Sequence, residues 1–91
     1  MPSCRNKFLR LSKIYTLLEI WHDKDLFISG QKLCDEVNDR IDFTVCKSSI
    51  EKDIFTLKED FDLEIKSSPK GIILVKKIDF RQAMLQYLGL D

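Results

Sequence analysis

Glycine is scarce in this sequence, three in 91 residues, and none stands in a loop that could cradle a phosphate. Histidine is rarer still. His22 is the only one, placed between Trp21 and Asp23 with Asp25 nearby, where a solvated helix end is a simpler reading than a general base. Three cysteines, Cys4, Cys34 and Cys46, are an odd number without CxxC or Cys/His spacing, which argues against a disulfide framework and a zinc site. Cys34 falls on an apolar helix face and reads as core filling. The carboxylates Glu59, Asp60 and Asp62 lack the glycine and alternating spacing of a calcium loop and read as a soluble turn. With no nucleophile motif either, neither an enzyme nor a cofactor or metal is expected. No apolar run approaches the roughly 20 residues of a membrane span, and MPSCRNKFLRLSK has no apolar core or cleavage site of a secretory signal. A cytoplasmic chain is the expectation. Net charge is absent too: 15 basic residues balance 15 acidic ones, which argues against a generic nucleic-acid binder.

What is present is enough for one modest core. A single domain over residues 1–91 is expected, its core at about 8–77 and a C-terminal helix at about 79–89. Charge is segregated along it. Residues 1–18 carry Arg5, Lys7, Arg10 and Lys13 without an acid, residues 65–78 carry Lys66, Lys70, Lys76 and Lys77 without an acid, and the middle holds nearly all the carboxylates. These ends make a positive surface if the fold brings both beside Ser48; otherwise they are solvated faces.

The most informative stretch is Val45–Phe61, VCKSSIEKDIFTLKEDF. Ile50, Ile54, Leu57 and Phe61 recur at helical spacing and predict one buried stripe. Winding at about 100° per residue turns Ser48, Lys52, Phe55 and Glu59 directly away from it, with Lys47 and Glu51 on one flank and Ser49 and Thr56 on the other. Ser48 with Glu51 three residues on is a capping-box pattern and sets a helix start between Cys46 and Ser49. Such a helix, with a small, polar and basic N-terminal end, suits the DNA major groove. An ordinary core helix with a solvated back has the same pattern.

Its surroundings favour the first reading. Leu11, Ile14, Leu17, Leu18 and Trp21 pattern a first helix over Phe8–Trp21. Leu26–Ile28 reads as a short strand. Ser29 caps a second helix with Leu33, Cys34, Val37 and Ile41 on its stripe, ending near Asp39 or Arg40. Beyond the third helix, Leu63–Lys66 and Gly71–Lys76 read as strands joined by a Ser-Ser-Pro-Lys-Gly turn, and Asp79 and Gly89 bound a fourth helix. The order is that of a winged helix-turn-helix, an α+β domain that is mostly α: a three-helix core, a β-hairpin wing and an extra C-terminal helix.

Val45 through Val75 resembles the N-terminal winged helix of the WYL-domain transcription regulators and their DeoR-type relatives. In that family a Val-Ser start leads into Arg-Thr-Ile, then Arg-Asp, then a leucine, an acidic turn and a hairpin ending in Gly-aromatic. This chain has Val45, Ser49-Ile50, Lys52-Asp53, Leu57, Glu59-Asp60-Phe61 and Gly71, and a looser match extends over Leu9–Val37. It departs from the family at Cys46, where the N-cap serine stands, which moves the expected cap to Ser48. Ser48 and Lys52 replace arginines, Phe55 replaces a polar residue, Ile72 replaces the aromatic after the glycine, and Asn38–Thr44 lengthens the turn. The regulators continue into a WYL ligand-sensing domain that is not in this sequence, so a stand-alone regulator and a piece of a larger one are both expectations.

Sequence-specific binding of double-stranded DNA in transcription regulation is therefore expected, with Lys47, Ser48, Ser49, Lys52 and Phe55 on the recognition face. Arg5 and Arg10 of the N-terminal end and Lys66 and Lys70 of the wing are assigned to the phosphates. Packing of Phe55 under the wing or arm competes with contact to a thymine methyl or a partner. A winged helix used only for protein contacts is the alternative. Phe80, Met84, Tyr87 and Leu88, followed by Leu90, give the last helix an apolar face assigned to a homodimer interface, with folding back on the first helix as the competing arrangement.

Overall fold

The computed structural model describes residues 4–41 and 44–89, with the side chains of residues 4–6 and of Leu88 outside that description. Its elements are α1 (Cys4–Asp23), α2 (Gly30–Asn38), α3 (Lys47–Glu59), β1 (Ile65–Ser68), β2 (Gly71–Leu74) and α4 (Phe80–Leu88). Helices α1–α3 form the core, β1 and β2 the hairpin wing, and α4 the added helix, as expected for a winged-helix-like α+β domain. Among the described residues no helix is long and apolar enough to cross a membrane.

Helix α1 is the spine. It begins four residues before Phe8 and buries Leu11, Ile14, Tyr15, Leu17 and Leu18. Its end is marked by Asp25 in the left-handed region (φ 57°), which turns the chain so that the Leu26 N–H donates to Trp21 O (3.1 Å). The Ser29 hydroxyl accepts from the Lys32 N–H (3.1 Å) and starts α2, whose Leu33, Cys34 and Val37 are buried.

The turn into α3 is held by a side chain. Asn38 Nδ2 donates to Val45 O (3.0 Å) while Val45 N–H donates to Asn38 Oδ1 (2.7 Å), and Cys34 Sγ also points at Val45 O (3.3 Å). One amide thus closes the long connection as a paired strand residue would. Residues 42 and 43 of that connection lie outside the described residues.

In α3 the buried stripe is Ile50, Asp53 and Leu57, with Ile54 only half-buried, so the helix is rotated from the expected Ile50–Ile54–Leu57 face toward Asp53. The reason is an ion pair with α1. Asp53, 2% exposed, accepts from Arg10 Nε (2.6 Å) and Nη2 (3.1 Å) in a bidentate pair. The expected cap also moves: Cys46, not Ser48, is the N-cap residue, and Ser48 lies within the first turn.

The hairpin pairs Ile65 with Leu74 and Ser68 with Gly71, leaving Pro69 and Lys70 as a two-residue turn. Strand β1 lies two residues beyond the expected Leu63–Lys66, and β2 stops at Leu74 instead of Lys76. Leu26–Ile28 contributes only one bridge, in which Ile28 N–H donates to Ile72 O (2.8 Å) and Ile72 N–H to Ile28 O (2.9 Å). This bridge explains Gly71: at φ 132° any Cβ there would run into the Ile28 carbonyl. His22 braces the same strand, its Nδ1 lying 2.6 Å from Leu74 O. A neighbouring ion pair, Lys77 with Asp23 (3.0 Å), ties the end of the wing to the end of α1.

Helix α4 is capped by Asp79 Oδ1, which accepts from Gln82 N–H (3.2 Å), and ends at left-handed Gly89. It folds back on its own chain. The Tyr15 hydroxyl accepts from Ile78 N–H (3.0 Å) and lies 2.9 Å from Ile78 O, fixing the approach to the helix. Five rings then follow one another: Tyr15 stacks on Phe80 (4.5 Å), Phe80 on Phe61 (5.2 Å) and Phe61 on Tyr87 (4.7 Å), and Tyr87 meets Phe8 edge-on (5.9 Å). Phe80 and Tyr87, assigned to a partner copy, thus occupy the competing fold-back arrangement. Beside them Leu9, Met84 and Leu85 line an apolar groove of about 640 Å³ between α1 and α4.

Candidate nucleic-acid interface

Helix α3 and the wing meet along one cleft. Lys47, Glu51 and Ile54 line one wall, Ser67, Ser68, Gly71 and Ile72 the other, with Gly30 at its end. The wing therefore flanks the N-terminal half of α3, where a recognition helix enters a groove. Lys47, Ser48, Lys52 and Phe55 are exposed and Ser49 is half-buried. The stem of Lys47 crosses Gly30 at the start of α2. Lys47 and Lys52 make no salt bridge among the described residues, and neither do Lys66 and Lys70 on the wing.

Phe55 does not pack under the wing or the N-terminal arm, one of the two arrangements expected for it. It is 65% exposed, because the wing sits against the Lys47–Glu51–Ile54 flank and leaves the opposite face open.

One cationic assignment changes. Arg10 is not directed at phosphate: its guanidinium faces Asp53, its side chain is 21% exposed, and the hydrogen bond to that carboxylate raises its pKa further. Phe8, near the start of α1, lies toward the far end of α3. Phe8 touches Tyr87, which stacks on Phe61 just past the α3 C-terminus, whereas the wing flanks the α3 N-terminus. Arg10 reaches the middle of α3 at Asp53 and lies within electrostatic reach of Cys46 at the start of that helix. The side chain of Arg5 lies outside the described residues.

Cys46 shapes the helix start in a way its sequence position did not announce. Its Sγ lies 3.1 Å from Ser48 Oγ and 3.4 Å from Ser49 Oγ, and these hydroxyls lower the pKa of the exposed thiol to about 6. When both hydroxyls donate to the thiolate they turn lone pairs outward, suited to an adenine or cytosine amino group and unsuited to phosphate. The sulfur makes no side-chain cap hydrogen bond, so Cys46→Ser should raise the Tm by roughly 4–8 °C, the effect of one good cap in a domain of this size. The gain depends on pH. A thiol depressed from 9.0 to about 6 stabilises the fold fully above pH 9, and that contribution fades as pH falls toward 6. Cys46→Ser should therefore gain most on wild type near pH 6 and least near pH 9 in parallel melts. A gain that does not vary with pH would contradict the thiolate.

Asn38, Asp53 and His22 position this site without belonging to it. Their signal in the sequence is faint, since each partner lies at least seven residues away. The groups of histidine, cysteine and carboxylate that could hold a metal are absent among the described residues. Comparison of the chain with protein-family models, with curated proteins and with solved structures finds no match.

Proposed function

We propose that this domain binds double-stranded DNA sequence-specifically as part of a cytoplasmic transcription regulator, of the kind the WYL and DeoR-type resemblance implies. One observation carries the reading: the exposed α3 face of Lys47, Ser48, Lys52 and Phe55 stands beside a wing whose Lys66 and Lys70 are exposed and without salt bridges among the described residues. The α3 helix itself is neutral, Lys47, Lys52 and Lys58 against Glu51, Asp53 and Glu59. Affinity must then come largely from the wing, while α3 supplies choice of sequence.

The test is a fluorescence titration with random duplex DNA at several salt concentrations, followed by a selected site. Binding should weaken with salt, and changing Lys66 and Lys70 to alanine should reduce the log–log slope by roughly 1–2. Lys52→Ala should cost about 1–3 kcal/mol at the selected site if the lysine meets a base, or weaken all duplexes alike if it meets phosphate. Absence of any salt-dependent duplex binding would refute the reading in favour of a protein-contact module, the alternative that exposed Phe55 supports. Pairing of two copies on a palindromic site is part of the proposal; with Phe80 and Tyr87 taken up by the ring stack, Met84 of the assigned face is left for it, beside Leu9 and Leu85 at the groove edge. Sedimentation at tens of micromolar tests that part, and a monomer there would refute it.

A further inference from the structure

Phe55 is the most exposed of the large apolar side chains described, at 65%, ahead of Leu26 and Val75. It has none of the ring contacts that occupy Phe8, Tyr15, Phe61, Phe80 and Tyr87. Its place is specific. Phe55 follows Lys52 by three residues and Ser48 by seven, so the three share the outward face of α3. A phenyl ring brings neither donor nor acceptor to a groove whose floor is otherwise hydrogen-bonding, and the one apolar group displayed there is the thymine 5-methyl.

We propose that Phe55 is a specificity-determining residue that reads a thymine methyl in the major groove, next to the position Lys52 reaches. This rests on the DNA-binding reading above. Spacing supports it: three helical residues advance about 4.5 Å, of the order of one base-pair step of about 3.4 Å along a strand. Shielding both the ring and the methyl from water supplies the preference.

The experiment uses the whole chain and a duplex selected from a random pool. Each thymine of that duplex is replaced in turn by uracil, which removes the 5-methyl and leaves every hydrogen-bonding group in place. One position should lose about fourfold in affinity, which is about 0.8 kcal/mol at about 1.4 kcal/mol per tenfold. Phe55→Ala should weaken the thymine duplex comparably and abolish the difference between thymine and uracil at that position. Because Phe55 is exposed, the variant should melt with wild type; the uracil series on wild-type protein is decisive even if it does not. Insensitivity to uracil at every position, or a uracil penalty that persists in Phe55→Ala, overturns the assignment while leaving DNA binding intact. If the pool yields no bound duplex, the DNA-binding reading falls and this inference falls with it.

Discussion

Replacing Arg10 by alanine should destabilise the domain by about 3–5 kcal/mol, because it leaves the Asp53 carboxylate buried without its cation. Asp53 is 2% exposed and takes both of its hydrogen bonds from the same guanidinium, at 2.6 and 3.1 Å. A chain of 91 residues has a total stability of about 5–14 kcal/mol at 0.05–0.15 kcal/mol per residue. The variant would therefore stand close to unfolding at room temperature. Asp53→Ala should cost less, since the Arg10 side chain is 21% exposed and its head can turn to water. A double replacement, Arg10→Met with Asp53→Leu, should recover most of the loss, because two apolar groups of similar volume need no solvation. Urea unfolding of these proteins, with the Arg10→Ala/Asp53→Ala double variant closing the cycle, gives the coupling directly. A cost below about 1 kcal/mol for Arg10→Ala would mark the pair as an ordinary surface bridge and return Arg10 to the candidates for phosphate contact.

That pair also shows where sequence reading ends. Periodicity found α3 and its outward face, because Ile50, Leu57 and Phe61 carry their burial in their chemistry. It could not find Asp53. A carboxylate reads as solvated unless its partner is known, and that partner lies 43 residues away on another helix. Arg10 was misread for the same reason, as a free cation in a basic run. Caps were legible where oxygen does the capping, at Ser29 and Asp79, and failed at Cys46, where the backbone makes the N-cap without a capping side chain. The wing was legible as a hairpin from its turn residues. Its register was not, since Ser67 and Ser68 look like turn chemistry yet Ser68 pairs with Gly71 around Pro69 and Lys70. The outward position of Phe55 followed from winding alone. Its exposure did not, because that depends on which flank of α3 the wing covers.

The last helix is where a single substitution should separate folding from assembly. Phe61→Ala is expected to cost about 3–5 kcal/mol, the range for removing a buried phenylalanine. Phe61 is the middle ring of five, 7% exposed, and stacks at 5.2 Å on Phe80 and 4.7 Å on Tyr87. Each such pair contributes about 0.5–1.5 kcal/mol beyond buried area. Losing both contacts leaves α4 only the Tyr15–Phe80 stack at its start and the Phe8–Tyr87 edge contact near its end. The Tyr15–Ile78 hydrogen bonds hold the segment leading into the helix but not the helix beyond it. Native-state hydrogen exchange should therefore show the α4 amides of Phe61→Ala opening locally, at a free energy well below that of α1, whereas in wild type the two approach each other. Tyr87→Leu keeps apolar area while removing the stack on Phe61 and the edge contact with Phe8 and should cost about 1–3 kcal/mol, at about 0.5–1.5 kcal/mol per ring pair. If α4 were held by a second copy instead of by Phe61, the wild-type Tm would rise with protein concentration, and Tyr87→Leu would abolish that rise while leaving the dilute Tm unchanged. Pairing at the groove edge would also make the wild-type Tm rise with concentration, so it is α4 exchange that depends on Phe61 even in dilute protein that assigns the helix to the fold of the single chain.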